Sequence, residues 1–279
     1  MRAPSAGTRR TLVLACVALL GVGGLLFVLY RASPFAHPAP GCTVSLRVGA
    51  VDDPDAMSDF ALTVEQAENG ATIAGVGARL GMPDHAVTVA IATALQESGL
   101  HNLSYGDRDS IGLFQQRPSQ GWGTVAQISD PVYAATAFYQ RLRQQRNWTT
   151  LEVTDAAQLV QRSAAPQAYA QWEPQARAIA AALTGEAEGS LTCHDLKLTV
   201  PKESLVTVAK RELGTAALTG RHEPGRSWAL GNWLVAHAAR LGIDQVTANG
   251  RTWTADSGEW ANTGPADGNL ALHQIPPPT

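Results

Sequence analysis

Apolar positions recur at helical spacing over much of the chain. From residue 58 the apolar residues lie three or four positions apart, which predicts one amphipathic helix over 58–80. The run Gly81-Met82-Pro83 ends this pattern, and Asp84 is expected to cap a second helix over 85–98. Apolar residues surround nearly the whole circumference of the second helix, which is typical of a buried helix. Gly99 is expected to end it.

The rest of the chain predicts a mainly α fold in two parts. A strand over 42–48, a small hairpin region over 100–116 and helices beginning at Asp130-Pro131, over 154–163 and over 174–183 form one helical domain over 42–193. Residues 194–201 are expected to be a linker. A small α+β domain follows over 202–279, with a helix over 232–241 and a hairpin around Asn249-Gly250.

The N-terminal segment 11–30 is uncharged and long enough to cross a bilayer as a helix. Three arginines precede it, so the positive-inside rule predicts a cytoplasmic tail over 1–10 and extracytoplasmic functional domains in a single-pass cell-membrane protein. Residues 31–41 are rich in proline and are expected to be a linker. Two alternatives are a cleaved signal peptide with a weak site at Ala32-Ser33 and lipidation at Cys16.

Composition excludes several classes of function. The net charge of -3 argues against a general nucleic-acid binder, and three cysteines without a CxxC pair exclude a cysteine zinc ribbon and the usual iron–sulfur clusters. No cofactor is predicted. Thiols outside the cytoplasm tend to oxidise, so Cys42 and Cys193, at the two ends of the helical domain, predict a disulfide. The alternative is two unpaired buried thiols.

Glu97 is the most informative polar residue. It is the only acidic residue within the helix over 85–98, and it lies in the last turn, where burial and the helix dipole both disfavour a carboxylate. The pKa of Glu97 is therefore expected to be raised. A carboxyl group that stays protonated near neutral pH can act as the general acid that cleaves a glycosidic bond. The alternative is a glutamate that ends a helix by reaching solvent.

Two motifs carry a family resemblance. The run Ala94-Leu95-Gln96-Glu97-Ser98-Gly99, followed by Ile111-Gly112-Leu113-Phe114-Gln115-Gln116, resembles the soluble lytic transglycosylase and goose-type lysozyme superfamily over about residues 60–183. The resemblance implies a lysozyme-like helical fold with Glu97 as acid and then base. It also implies a substrate, the β-1,4 bond between N-acetylmuramic acid and N-acetylglucosamine in bacterial peptidoglycan strands.

The same resemblance suggests substrate-binding residues. Ser98 would orient the acid or a substrate group, Gln115 and Gln116 would line the groove, and Tyr105 and Trp122 would be sugar platforms. Tyr139 is a weaker platform candidate, because a core position on a helix is favoured for it. The family's later Ala-x-Tyr-Asn segment is not present as such: the corresponding stretch is Val160-Gln161-Arg162-Ser163, followed by Pro166-Gln167-Ala168-Tyr169. Tyr169 is proposed to replace its tyrosine near the acid.

Two alternatives to a transglycosylase remain open. In a transglycosylase one carboxylate suffices, because the C6 hydroxyl of muramic acid attacks the anomeric carbon. A lysozyme-type hydrolase would need a positioned water or a second carboxylate, for which Asp107 and Asp109 are candidates. The other alternative is a non-catalytic protein that binds peptidoglycan as a scaffold.

The C-terminal part resembles a domain related to zinc D-alanyl-D-alanine carboxypeptidases. His222 and His273 match two zinc ligands of that family, but Ala229 stands where an aspartate is expected and the acidic base before the last histidine is missing. Two ligands do not make a catalytic zinc site. This domain is therefore expected to be a non-catalytic relative without a metal, and a zinc peptidase would require metal at both histidines.

Overall fold

A computed structural model describes residues 39–47, 57–163 and 165–275. Of these described residues 46% are helical and 18% are in strands, which form two antiparallel sheets. The prediction of a mainly α protein is therefore wrong, and the fold is mixed α/β. The prediction underestimated the strand content because several strands are only two to four residues long. Patterns that short carry little periodicity.

The first sheet joins the two ends of the predicted helical domain. Strand β1 (Gly41–Arg47) lies between β2 (Met57–Leu62) and β3 (Leu191–His194), and both pairings are antiparallel. Cys42 lies directly opposite Cys193 and forms a disulfide with it, which confirms the predicted pairing. The strand predicted over 42–48 agrees with β1, whereas β3 was not predicted.

The helix expected from residue 58 begins later. Residues 57–62 form β2, in which every second residue, Ser58, Phe60 and Leu62, is less exposed than its neighbours, so the period is two. Helix α1 (Val64–Arg79) starts after Thr63 because the Thr63 hydroxyl accepts from the Gln66 backbone N–H and the Gln66 side chain accepts from the Thr63 N–H. This capping box sets the boundary between strand and helix.

Five further helices complete the region around α1. They are α2 (Asp84–Ser98), α3 (Val125–Ile128), α4 (Pro131–Arg143), α5 (Val153–Gln161) and α6 (Glu173–Thr184). Helix α2 packs against α1, α4, α5 and α6 and is buried from Ala86 to Leu95, as its apolar circumference predicts. Short 3-10 turns lie at Pro118–Gln120, Trp148–Thr150 and Ala170–Trp172.

Helix α2 ends sharply. Gly99 takes the left-handed conformation at φ 63°, and the N–H of Leu100 returns to the carbonyl of Ala94 at 3.0 Å. Glycine adopts this conformation without strain, so the chain turns immediately after Ser98. The predicted hairpin region over 100–116 contains a single bridge between Ile111 and Gln116 rather than paired strands.

The C-terminal region holds helices on a second sheet. Helices α7 (Leu205–Leu213), α8 (Pro224–Ala236) and α9 (Ala238–Leu241) accompany the strands β4 (Gly220–Arg221), β5 (Ile243–Ala248), β6 (Arg251–Thr254), β7 (Trp260–Asn262) and β8 (Asn269–Gln274). The strand order is β4-β8-β5-β6-β7. The predicted turn joins β5 to β6, with positive φ at both Asn249 and Gly250.

The predicted boundary over 194–201 separates two groups of elements that pack on each other. Helix α1 contacts α7 and α8, and α6 contacts α8. The Asn232 amide of α8 donates to the carbonyl of Ala182 in α6 at 2.7 Å. The described residues from Pro40 onward therefore form one compact unit.

The predicted transmembrane segment 11–30, its cytoplasmic tail and most of the linker lie outside the described residues. Within the described part of the chain, no helix is long and apolar enough to cross a membrane. The longest, α1, has 16 residues, fewer than the approximately 20 that a span requires. The prediction of a single-pass cell-membrane protein is therefore corrected, because the helices of the described residues do not support it.

Candidate functional site

Glu97 lies in a cleft of about 600 Å³. The end of α2 contributes Glu97, and the remaining walls come from the segment 115–122 and from the C-terminal ends of α4 and α5. Among the described residues that line the cleft, Glu97 is the only acidic one. The site therefore offers one carboxyl group among amide, aromatic and cationic side chains.

The environment of Glu97 favours a retained proton. The side chain is half-buried, and this burial raises its pKa above the usual range. A hydrogen bond from the Tyr169 hydroxyl at 2.8 Å and the nearby Gln161 amide act in the opposite direction without cancelling the effect. The upward shift of the Glu97 pKa agrees with the expectation from the sequence, and its physical cause is desolvation.

Tyr169 reaches Glu97 from a distant part of the chain. Its ring is fully buried, and burial followed by the nearby Glu97 carboxyl raises the pKa of its hydroxyl. Tyr169 therefore stays protonated and can donate. The Trp172 indole N–H donates to Gln96 Oε1 at 2.8 Å, which holds the Tyr169 segment against the end of α2. The predicted proximity of Tyr169 to the acid agrees with this geometry.

Ser98 lies outside the cleft lining and binds to the backbone next to it. Its hydroxyl oxygen lies 2.8 Å from the carbonyl of Leu113 and 3.0 Å from that of Ala94. These contacts join the end of α2 to the segment 111–116. The hydroxyl is thus engaged with backbone oxygens, and Ser98 does not line the cleft. It positions its neighbour Glu97 through the backbone.

The two neighbouring glutamines have different places. Gln115 lines the cleft, and its amide nitrogen lies 3.2 Å from the carbonyl of Tyr105. A Cβ atom at Gly106 would lie 1.9 Å from Gln115 Oε1, so this approach requires glycine. Gln116, by contrast, is buried and donates to the carbonyl of Ala134 at 3.1 Å. The prediction that Gln116 lines the groove is not met, because its side chain points into the core.

The three aromatic residues that were candidate sugar platforms occupy different positions in the structure. Trp122 lines the cleft, where the Arg141 guanidinium lies 3.5 Å from the centre of its ring. Tyr105 is 70% exposed and lies outside the cleft. Tyr139 is fully buried, and its hydroxyl donates to the carbonyl of Ile73 at 3.1 Å. Tyr139 therefore occupies the core, which is the position that its place on a helix favoured.

Neither candidate second carboxylate lines the cleft. Asp109 accepts from Arg117 Nε at 2.8 Å and from the Ser119 N–H at 2.8 Å, and these bonds hold the pKa of Asp109 well below its usual range. Asp107 is almost fully exposed beside Arg108. Asp109 thus stabilises the wall that carries Arg117.

Arg141, Gln161 and Arg162 are among the cleft residues that were not predicted as site residues from the sequence. Gln161 approaches Glu97 and donates its amide to the carbonyl of Phe114 at 2.9 Å. Gln161 and Arg162 belong to the stretch that stands in place of the family's Ala-x-Tyr-Asn run. This difference from the family's pattern was the one signal in the sequence that these residues could have a role at the site. Arg141 gave no indication, since basic residues are common in the last turn of a helix.

The two C-terminal histidines have separate surroundings. His273 Nδ1 lies 2.6 Å from Asp244 Oδ1 on the exposed face of the second sheet, whereas the buried Nε2 of His222 has no hydrogen-bond partner. Across the described ranges, no group of three or more histidine, cysteine, aspartate or glutamate residues is placed to hold a metal ion.

Comparison with known proteins adds no assignment. No protein-family model matches the chain, and no curated protein matches it by sequence. The superfamily resemblance therefore rests on the two motifs quoted above.

Proposed function

We propose that this protein cleaves the β-1,4 bond between N-acetylmuramic acid and N-acetylglucosamine in peptidoglycan strands, as a lytic transglycosylase-like enzyme. The observation that carries this proposal is Glu97, a half-buried carboxyl group with a raised pKa that is the only acid among the described residues of an open cleft. A second carboxylate, which a conventional glycosidase uses, is absent from that lining.

In the proposed reaction Glu97 acts twice. Its proton passes to the glycosidic oxygen as the bond to the anomeric carbon of muramic acid breaks, and N-acetylglucosamine leaves as the alcohol. The Glu97 carboxylate then accepts the proton of the C6 hydroxyl, whose oxygen bonds to the anomeric carbon. The product is a 1,6-anhydro sugar and Glu97 is protonated again. Tyr169 and Gln161 would stabilise the carboxylate between the two steps by donating hydrogen bonds.

The test is mass spectrometry of the fragments that the full chain releases from purified peptidoglycan, beside the Glu97→Gln variant. We expect 1,6-anhydro products from the wild type, and we expect the variant to lose at least about a hundredfold in rate because general acid–base catalysis contributes that much or more. Glu173 lies outside the cleft and provides the matched control Glu173→Gln.

Other products would contradict the proposal in defined ways. Reducing-end sugars would identify a hydrolase that uses water at the same carboxyl group. Binding to peptidoglycan without release of any fragment would identify a non-catalytic wall-binding protein.

A further inference from the structure

The cleft that contains Glu97 carries an excess of positive charge. Arg117, Arg141 and Arg162 line it, and Glu97 is the only described acidic residue among its walls. Burial raises the pKa of Glu97, which favours the neutral form of the only acidic group in the lining. A cleft lined by one sign of charge attracts ligands of the opposite sign.

Arg117 is neutralised within the wall. Its Nε donates to Asp109 Oδ1 at 2.8 Å, and Asp109 is held in turn by Ser119. This ion pair neutralises the charge of Arg117. Arg141 and Arg162 are therefore the two arginines that give the cleft its excess positive charge.

Arg141 is fixed without an acidic partner. Its Nη2 donates to the carbonyl of Gly121 at 3.1 Å, and its guanidinium lies over the ring of Trp122. These contacts orient the group, but a carbonyl and an aromatic ring do not carry the full charge of a carboxylate. No described acidic residue forms an ion pair with it.

Arg162 lines the same cleft as Arg141, and its charge is unpaired among the described residues. It follows α5 directly, at φ 53°, next to the Gln161 that approaches Glu97. No described acidic residue pairs with Arg162, and its positive charge lowers the pKa of Arg141 in addition to the larger effect of burial. Two like charges held close together cost free energy, and an anion between them would relieve that cost.

We propose that Arg141 and Arg162 form a carboxylate-binding subsite in the Glu97 cleft, which selects glycan strands that carry carboxylates over neutral N-acetylglucosamine polymers. This inference rests on the proposed function. A guanidinium group suits a carboxylate because its parallel N–H donors match the two oxygens. In peptidoglycan the carboxylate has two sources: the lactyl group of muramic acid after peptide removal, and the attached peptide.

The test measures affinity by titration calorimetry in full-chain Glu97→Gln protein, so that the glycan stays intact. Three glycans of equal length are compared: neutral N-acetylglucosamine oligomers, peptide-free peptidoglycan strands and peptide-bearing strands. Arg162→Gln is preferred over a change at Arg141, which also covers Trp122. Arg162→Lys keeps the charge, and Arg146→Gln changes an exposed arginine outside the cleft.

We expect Arg162→Gln to weaken binding of carboxylate-bearing strands by about tenfold and to leave neutral oligomers unchanged, because a charge-assisted hydrogen bond is lost. Arg162→Lys keeps the charge without the paired donors, so it should lose less affinity than Arg162→Gln. Arg146→Gln should keep all of the affinity. A loss confined to peptide-free strands identifies the lactyl carboxylate, and a loss confined to peptide-bearing strands identifies the carboxylates of the peptide. A loss with both strand types shows that the subsite accepts either source.

Two results would overturn the subsite and are distinguishable. Equal affinity for neutral and carboxylate-bearing glycans, unchanged by Arg162→Gln, would remove the subsite while leaving the cleft as a glycan site. Failure of all three glycans to bind would overturn the proposed function and the subsite together.

Discussion

The hydroxyl of Tyr169 donates a hydrogen bond of 2.8 Å to Glu97 Oε1, which joins residues 72 positions apart. The bond favours the carboxylate form of Glu97, whereas burial favours the protonated form and has the larger effect. Tyr169 therefore limits how far the pKa of Glu97 rises. A group that must give and then take a proton benefits from this balance, because neither form is held too strongly.

Replacing Tyr169 by phenylalanine removes the hydrogen bond and keeps the ring in the core. The pKa of Glu97 should then rise further, since only burial and Gln161 remain. A general acid works while it is protonated, so the high-pH limb of the rate profile should move to higher pH in Tyr169→Phe. The profile of kcat/KM against pH measures this. Tyr105→Phe, an exposed tyrosine outside the cleft, should leave the limb in place; a shift to lower pH in Tyr169→Phe would refute the argument.

The Cys42–Cys193 disulfide joins positions 151 residues apart, and both cysteines are buried. The double variant Cys42→Ala and Cys193→Ala should lose about 2–5 kcal/mol of unfolding free energy, mainly because its unfolded chain is less constrained. Urea unfolding with and without a reductant measures the effect. The reductant should destabilise the wild type only, and equal stability of the reduced and oxidised wild type would contradict the expectation.

Gly106→Ala should disturb the cleft with little effect on the core. The added Cβ would lie 1.9 Å from Gln115 Oε1 and 2.7 Å from the carbonyl of Ser110, so the Gln115 side chain and the backbone at Ser110 must both move. We expect glycan affinity to fall by about tenfold, because a well-placed hydrogen-bonding group is lost. Gly264→Ala is the matched control, since its Cβ would meet nothing within 4 Å. Unchanged affinity in Gly106→Ala would exclude Gln115 from glycan binding.

Glu212 is buried at the contact between α7 and α8, where it lies 2.9 Å from His237 Nε2 and accepts from the Trp233 indole at 3.0 Å. Glu212→Gln should cost about 3 kcal/mol of unfolding free energy, because a buried charged group loses its partner. The exposed pair of Glu203 and Arg211 offers the control Glu203→Gln, which should cost less than about 1 kcal/mol.

The cost of Glu212→Gln should also depend on pH. Burial alone would raise the pKa of Glu212, but the charges of His237 and Arg240 with the hydrogen bonds outweigh it, so the pKa is lowered. A carboxyl group with a lowered pKa in the folded state stabilises the fold above its unfolded pKa, and this contribution is lost as pH falls through the folded value. The difference between wild type and variant in urea unfolding should thus shrink in acid; a difference that grows there would contradict the ion pair.

Several features of this protein follow from local sequence. The apolar circumference of α2, the stop at Gly99 and the turn at Asn249-Gly250 were predicted correctly, because each depends on a few neighbouring residues. The pairing of Cys42 with Cys193 was predicted from their positions at the two ends of one region. The raised pKa of Glu97 followed from its place at the end of a buried helix.

Other features depend on contacts between distant segments. Residues 57–62 pair with β1 instead of extending α1, and Gln116 turns inward to Ala134 although it neighbours the cleft residue Gln115. Local periodicity does not distinguish these outcomes, because the free energy that decides them comes from burial against partners far along the chain.

The cleft also depends on contacts between segments that are distant along the chain. The motif residues identified Glu97, and the family resemblance suggested Tyr169 beside it. Gln161, Arg141 and Arg162 come from two other segments that meet at the end of α2. The order of residues along the chain therefore indicates which group can hold a proton. Which side chains donate to that group, and which charges surround it, depends on how the helices pack.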